Sequence, residues 1–395
     1  MHQKIQAKII SLFLLLSITI ISCNSGSSSY EISITNTSDL TRKLETIEIE
    51  LSQLPELTVN ILVGICITDD SGKEIISQLV DFNTDSLADY IIFQSDLKAN
   101  ETKKFTIVAS DCNHVVLENS AQTYCRFVPD RMDDFAWEND KVAFRTYGPA
   151  CQKLFEDGNP AGLISSGIDC WLKRVDYPII SKWYKKNENG GSYHKDDGEG
   201  LDNYHVGTSR GCGGTAIIED GKYVLSENYS KWNIIANGPI RSAFELEYPS
   251  YKVGTKNVSE KKIFTIDLGS NFYQCEVKYE CDAQLNEAAV GIIHHKTNGK
   301  TTFNKNQAWF TYWETLDESN LGTAIILNPN AALSHNSDTE NNWVSLAIMD
   351  NSFSYWSGFG WRKAGEFSSS EEWNAYVSKF SEIKNNPLSI KIEKK

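Results

Sequence analysis

The sequence predicts an all-β protein, with a small N-terminal β-sandwich followed by a much larger β-rich domain. Three observations carry this. Short runs rich in β-branched and aromatic residues recur along most of the chain, and many alternate apolar with polar. Polar turn clusters separate them at close spacing. Helical periodicity is scarce, while Tyr 17, Phe 17 and Trp 10 give the 395-residue chain a rich supply of strand-favouring aromatics.

The early strands fall at 30–34, 44–51, 59–68, 90–94 and 104–109. Asp69-Asp70-Ser71-Gly72 is a hairpin turn between two of them. Together they predict a sandwich over residues 30–130. Longer strands follow at 141–147, 217–219, 231–236, 240–247, 261–267, 272–279 and 321–327, so that 131–395 forms two large packed sheets. A helix is expected over 370–384, capped by Ser370, with Glu371 and Glu372 in its first turn. Its apolar residues Trp373, Tyr376, Val377 and Phe380 recur at helical spacing.

The N-terminus is an address. Lys4 and Lys8 precede an apolar run, 9–21, that is short for a permanent span and fits a secretory signal. Ile21-Ser22-Cys23 follows it, with Ser and Gly beyond. Residues 1–22 are therefore expected to be a lipoprotein signal peptide, Cys23 the lipidated residue and 23–29 a flexible tether. The expected location is a bacterial outer membrane, on its periplasmic or surface face, held by the N-terminal lipid. Eight further cysteines permit disulfides in an exported chain. Cys112 with Cys125, or Cys275 with Cys281, can each close a hairpin, and free buried thiols are the competing reading.

With 38 Lys and Arg against 52 Asp and Glu, the net charge is -14. There is no basic stripe, which excludes nucleic acid as a partner. Acids, bases, Tyr, His and Arg are densest between Gly167 and Gly214, around a Gly-rich polar stretch that reads as a long functional loop. His194 is its candidate general base, because an imidazole titrates near neutral pH. Tyr204 is a candidate proton donor, and the fork of Arg210 suits a carboxylate or sulfate. For each the competing reading is structural: a surface histidine, a packed tyrosine, an arginine ion-paired to Asp197, Glu199 or Asp202. His294-His295-Lys296 forms a second group, in which alternation along a strand lets only one histidine face a cleft. Trp313, next to Glu314, offers a stacking face, although core packing is the commoner use of a tryptophan. In the first domain Asp81, Asn83, Asp85 and Asp89 space their oxygens like a short calcium loop. The Gly and Glu of the EF-hand pattern are missing, and a plain hairpin turn competes.

Five ordered motifs go further. They are the run 134–149, the run 166–174, Tyr193-His194 with Gly198-Glu199-Gly200-Leu201-Asp202, Arg210-Gly211-Cys212-Gly213-Gly214, and Ala236-Asn237-Gly238-Pro239-Ile240-Arg241. Together they resemble the DUF4861-type family of exported, often lipidated proteins of bacterial polysaccharide utilisation, over roughly 31–380. The chain departs from that family at Cys151, Cys170 and Cys212, where other small or apolar residues are expected. The resemblance implies a galactose-mutarotase-like β-supersandwich and a dehydratase or lyase acting on ulvan-derived oligosaccharides, with no required cofactor.

Elimination from an anionic sugar needs a base, a cation and an acid. His194 then serves as base and Tyr204 as acid or co-base, while Arg210 and Lys173 bind the carboxylate. Trp171 or Trp313 stacks the ring, and His294 lies at the substrate. The alternatives are a non-catalytic glycan-binding lipoprotein and a mutarotase using His294 with Glu314. A third is a hydrolase using Glu199 and Asp202.

Overall fold

In the computed structural model of the chain, residues 29–58, 64–110 and 120–395 are described. The expected signal peptide, Cys23, most of the expected tether and Cys112 lie outside the described residues. The fold is all-β, as expected, with five sheets and few helices.

The first sandwich pairs a five-stranded sheet with a three-stranded one. Strand Ser29–Thr35 alternates half-buried and buried residues, which puts Ile32 and Ile34 in the sandwich core with Ile47, Phe93 and Phe105. The expected strand at 59–68 is described from Ile65 onward, as Ile65–Asp69. The Asp69–Gly72 turn forms as expected, with the Gly72 amide donating to the Asp69 carbonyl. One correction concerns the domain limits. The last strand, Ser389–Lys394, pairs with Ser29–Thr35 and so belongs to the first sandwich, not to the 131–395 domain. The strand Tyr124–Val128 pairs with Asp134–Glu138 and belongs to the large domain, not to the 30–130 sandwich.

The large domain packs an eight-stranded sheet and two five-stranded sheets around one main core. One of the latter carries the loop of interest. Its strands Tyr124–Val128, Asp134–Glu138, Ala143–Thr146 and Ile168–Lys173 lie in that order, with Gly200–Leu201 at the edge. Phe135, Trp137, Phe144, Cys170 and Leu172 enter the main core from one face. The opposite face is also covered. Helix Ile180–Glu188, which periodicity did not reveal, packs Ile180, Trp183 and Tyr184 against Ala136, Ala143 and Trp171. Asp134, Glu138, Arg145, Asp169 and Lys173 alternate with the core residues, so they point beneath this covering layer and are buried.

Both ends of the loop press on strand Ile168–Lys173. Gly200 and Gly211 have φ of +123° and +60°. A Cβ at either would meet the Leu172 or Ile168 carbonyl oxygen at 1.9 Å or 2.0 Å, so only glycine fits.

The C-terminal helix Ser370–Asn385 is capped by Ser369 rather than Ser370, with the Glu372 amide donating to the Ser369 side chain. It lays Trp373 and Val377 on the outer face of the eight-stranded sheet, against Phe272, Trp309 and Ile326. Cys66 is disulfide-bonded. Cys125, Cys275 and Cys281 are free thiols, so neither proposed hairpin bridge is present.

Trp373→Ala removes the fully buried anchor of this helix. Denaturant unfolding is expected to show a loss of about 3–5 kcal/mol.

Candidate active site

The loop is held by one buried cation. The Arg145 guanidinium donates to the Asp169 carboxylate at 2.6 and 3.0 Å and to Asp202 at 2.9 Å. Its remaining nitrogen reaches Asp134 at 3.4 Å and the Tyr193 hydroxyl at 3.3 Å. Rings of Tyr147, Trp171 and Tyr193 surround it with centroids at 5.3–5.7 Å. Asp134 and Asp169 come from strands, whereas Tyr193 and Asp202 come from the loop. The pair Glu138–Lys173 does the same for the covering helix. Glu138 accepts from the Lys173 ammonium at 2.8 Å and from the Ile179 and Ile180 amides at the helix start.

Three carboxylates share Arg145, with Arg131 nearby, so negative charge is in excess. Burial pushes Asp169 up to about 7, Asp202 adds to the shift, and Arg145 only partly offsets them. Burial likewise lifts Asp134 to about 6, against Arg145 and Arg131. One oxygen of each carboxyl lacks a hydrogen-bond partner among the described residues, which accords with a retained proton.

The loop presents its histidines above this network. His194 donates from Nδ1 to the Asp202 carbonyl at 2.7 Å. A carbonyl only accepts, so Nδ1 carries a proton, and in the neutral ring the lone pair is on Nε2. The His194 side chain is 50% exposed. The exposed His205 ring stands 6.4 Å from it, nearly parallel, on a backbone with φ of +54°. His295 differs. Its Nδ1 faces the Glu314 carboxylate at 2.8 Å and its Nε2 faces the Tyr204 carbonyl. Both partners accept, so the ring donates twice and is an imidazolium. Burial opposes that charge, but the Glu314 hydrogen bond and charge outweigh it and raise the His295 pKa. His295 and Lys296 both adopt left-handed φ, +39° and +55°, a strain held by these contacts.

The other expected site residues are placed elsewhere. Tyr204 is buried, its hydroxyl without a partner among the described residues, and burial raises its pKa well above the usual value. It contributes a carbonyl to His295, not a proton to a ligand. Arg210 is buried against Ser166 and Thr208, and burial lowers it to about 10. Lys173 spends its donors on Glu138 and on the Asn139 and Tyr177 carbonyls. Trp171 is buried against Trp183, Tyr184 and Tyr193.

Trp313 packs under the C-terminal helix, on the face of its strand opposite Glu314. His294 meets the Asp338 carbonyl at 3.2 Å and is not the partner of Glu314. Glu199 is held by Tyr177, Lys182 and Trp183, and Asp202 by Arg145, so the two do not offer facing carboxylates. In the Asp81–Asp89 turn the carboxylates accept loop amides: Ser86 donates to Asp81, Leu87 to Asp85 and Phe82 to Asp89. Among the described residues no three His, Cys, Asp or Glu side chains are arranged to hold a metal ion.

Known proteins resemble this chain to differing depth. Residues 34–390 match the family described as "Domain of unknown function (DUF4861)". "Uncharacterized protein P7" of Formosa agariphila is 40% identical over 372 residues, which is 92% of this chain and 93% of that relative. Two solved structures from Enterococcus faecalis share the fold at 10% identity and a TM-score of 0.50. One is a protein in glycosyl hydrolase family 38 and the other an alpha-mannosidase. The match covers 92% of this chain but 47% and 46% of theirs, so the chain spans about half their length.

The Asp169 pKa, about 7, lies above the ordinary 3.8. Its bound proton therefore stabilises the fold fully below about pH 4, and that contribution fades as pH rises through 7. Thermal unfolding followed from about pH 5 to 8 is expected to show Asp169→Asn losing less stability than the unmodified chain. Equal slopes would contradict the assignment.

Proposed function

The chain belongs to the DUF4861 family, and from that premise we propose that it is a carbohydrate-active lyase or dehydratase. It eliminates water or a glycosidic oxygen from a uronic-acid-containing, ulvan-like oligosaccharide. The observation that carries the proposal is the fixed tautomer of His194. Its Nδ1–H is held by the Asp202 backbone, and its Nε2 lone pair is free on a half-exposed ring.

The chemistry follows from that geometry. A C5 proton next to a carboxylate becomes removable by an imidazole once a neighbouring positive charge or proton neutralises that carboxylate. The electron pair forms a C4–C5 double bond, and the oxygen on C4 leaves with a proton from an acid. His205, one ring away, is the residue placed to give that proton. The His295 imidazolium, paired with Glu314, donates to the carbonyl next to His205 and so holds the backbone that carries it. Asp202 and Arg145 position the base. The fold also occurs in a family 38 protein and an alpha-mannosidase, which suits a carbohydrate ligand. A lipid on Cys23 would present the enzyme from a bacterial membrane.

The His295–Glu314 pair does not serve as the acid and base of a mutarotase, since both ring nitrogens are committed.

His194→Gln and His194→Ala are expected to slow product formation from ulvan oligosaccharides about 10²–10⁴-fold without lowering the unfolding temperature. Product is read as ultraviolet absorbance of the new double bond. Mass spectrometry separates loss of one water from chain shortening. Full activity in both variants, or shortened products lacking the double bond, would overturn the proposal.

A further inference from the structure

A second cavity lies away from the loop, where the first sandwich, the eight-stranded sheet and the C-terminal helix meet. It encloses about 310 Å³, and no residue of the 192–205 loop lines it. Its floor is a row of three side chains in register on adjacent strands: Thr265 opposite Gln274, and Gln274 opposite Trp356. They point outward, because their neighbours Phe264, Cys275 and Tyr355 fill the main core. Trp356 is half-buried, with Phe380 at its edge, 6.3 Å between ring centroids. The Gln274 amide has no hydrogen-bond partner among the described residues.

The rim is positive in a chain of net charge -14. Five cationic side chains line the cavity against three acidic ones. Two of those acids, Asp267 and Glu48, are taken by Arg241 at 2.6 and 2.7 Å. Lys43 and Lys141 are paired with Asp96 and Glu366, Lys384 stands 4.0 Å from Glu45, and the exposed Lys379 has no ion pair among the described residues. An aromatic face, a free amide and the unpaired ammonium of Lys379 beside Lys384 together suit one ligand chemistry. A sugar ring stacks on the indole, its hydroxyls meet the amide, and its carboxylate or sulfate meets the lysines.

We infer that this cavity is a second, separate binding site for an anionic sugar residue. The inference takes its ligand class from the proposed function but uses none of the same residues.

Calorimetry with ulvan tetrasaccharide on His194→Gln tests it. Two sites per chain are expected. Adding Trp356→Ala should remove one of them, and the pair Lys379→Glu, Lys384→Glu should weaken it by about tenfold or more. Activity of Trp356→Ala on an ulvan disaccharide should match the unmodified chain. The surface double variant keeps the test sound if the tryptophan variant folds poorly. One site, unchanged by either variant, would overturn the inference while leaving the enzyme reading intact. A site lost with Trp356, in a chain that forms no product, would uphold the inference and remove the enzyme reading. No binding at all would end both.

Discussion

A single buried guanidinium, Arg145, ties the long loop to the sheet beneath it. Exposed ion pairs contribute little, but this one is sealed, and its partners come from two strands and a loop. Removing such a cation strands charges in a dry interior, which costs about 3–5 kcal/mol. Hydrophobic burial fixes the sheets themselves. Residues 193–204 have few apolar anchors beyond Tyr193 and Tyr204, and Tyr193 and Asp202 on Arg145, with glycines at points of contact with the next strand, fix their position. The loop is therefore placed largely electrostatically, on a scaffold placed by packing.

That placement reaches the imidazoles through the backbone. The segment around Asp202 to His205 offers carbonyls at two positions, and each sets the protons of one histidine. His194 is left with a free lone pair, and His295 becomes a cation. Two rings of the same kind thus acquire opposite roles from their acceptors alone. The carboxyls of Asp169 and Asp134 hold their protons up to about 7 and 6 chiefly because they are buried, and the Asp202 charge adds to the shift at Asp169.

Much of the fold was legible. Ser29–Thr35, Lys256–Asp267 and Phe272–Glu280 alternate cleanly, and the helix Ser370–Asn385 shows its period and acidic first turn. The buried ionic layer was not, for a specific reason. Asp134, Glu138, Arg145, Asp169 and Lys173 alternate with apolar residues, the same pattern a solvent-facing strand shows. Only the covering helix Ile180–Glu188 makes that face an interior, and its apolar residues, Ile180, Trp183 and Tyr184, fill little more than one turn of a short segment. Within the loop, the polar context of His194 goes with a half-exposed ring, whereas Tyr204, Arg210 and Lys173 were drawn in by residue type although their side chains turn inward. His295 rather than His294 meets Glu314 because strand Glu287–Ile293 ends first, so strand alternation no longer applies. Trp313 sits one residue from Glu314 and therefore on the other face. A sequence also does not show that the last strand closes the first sandwich.

The central claim is that the acceptors around the two histidines, backbone carbonyls and the Glu314 carboxylate, set where their protons sit. Long-range proton–nitrogen correlation NMR on chain with ¹⁵N-labelled histidine reads both rings directly. At neutral pH the account predicts His295 protonated on both nitrogens, and the neutral form of His194 with its proton on Nδ1. A neutral His295, or a His194 protonated on Nε2 alone, would contradict it.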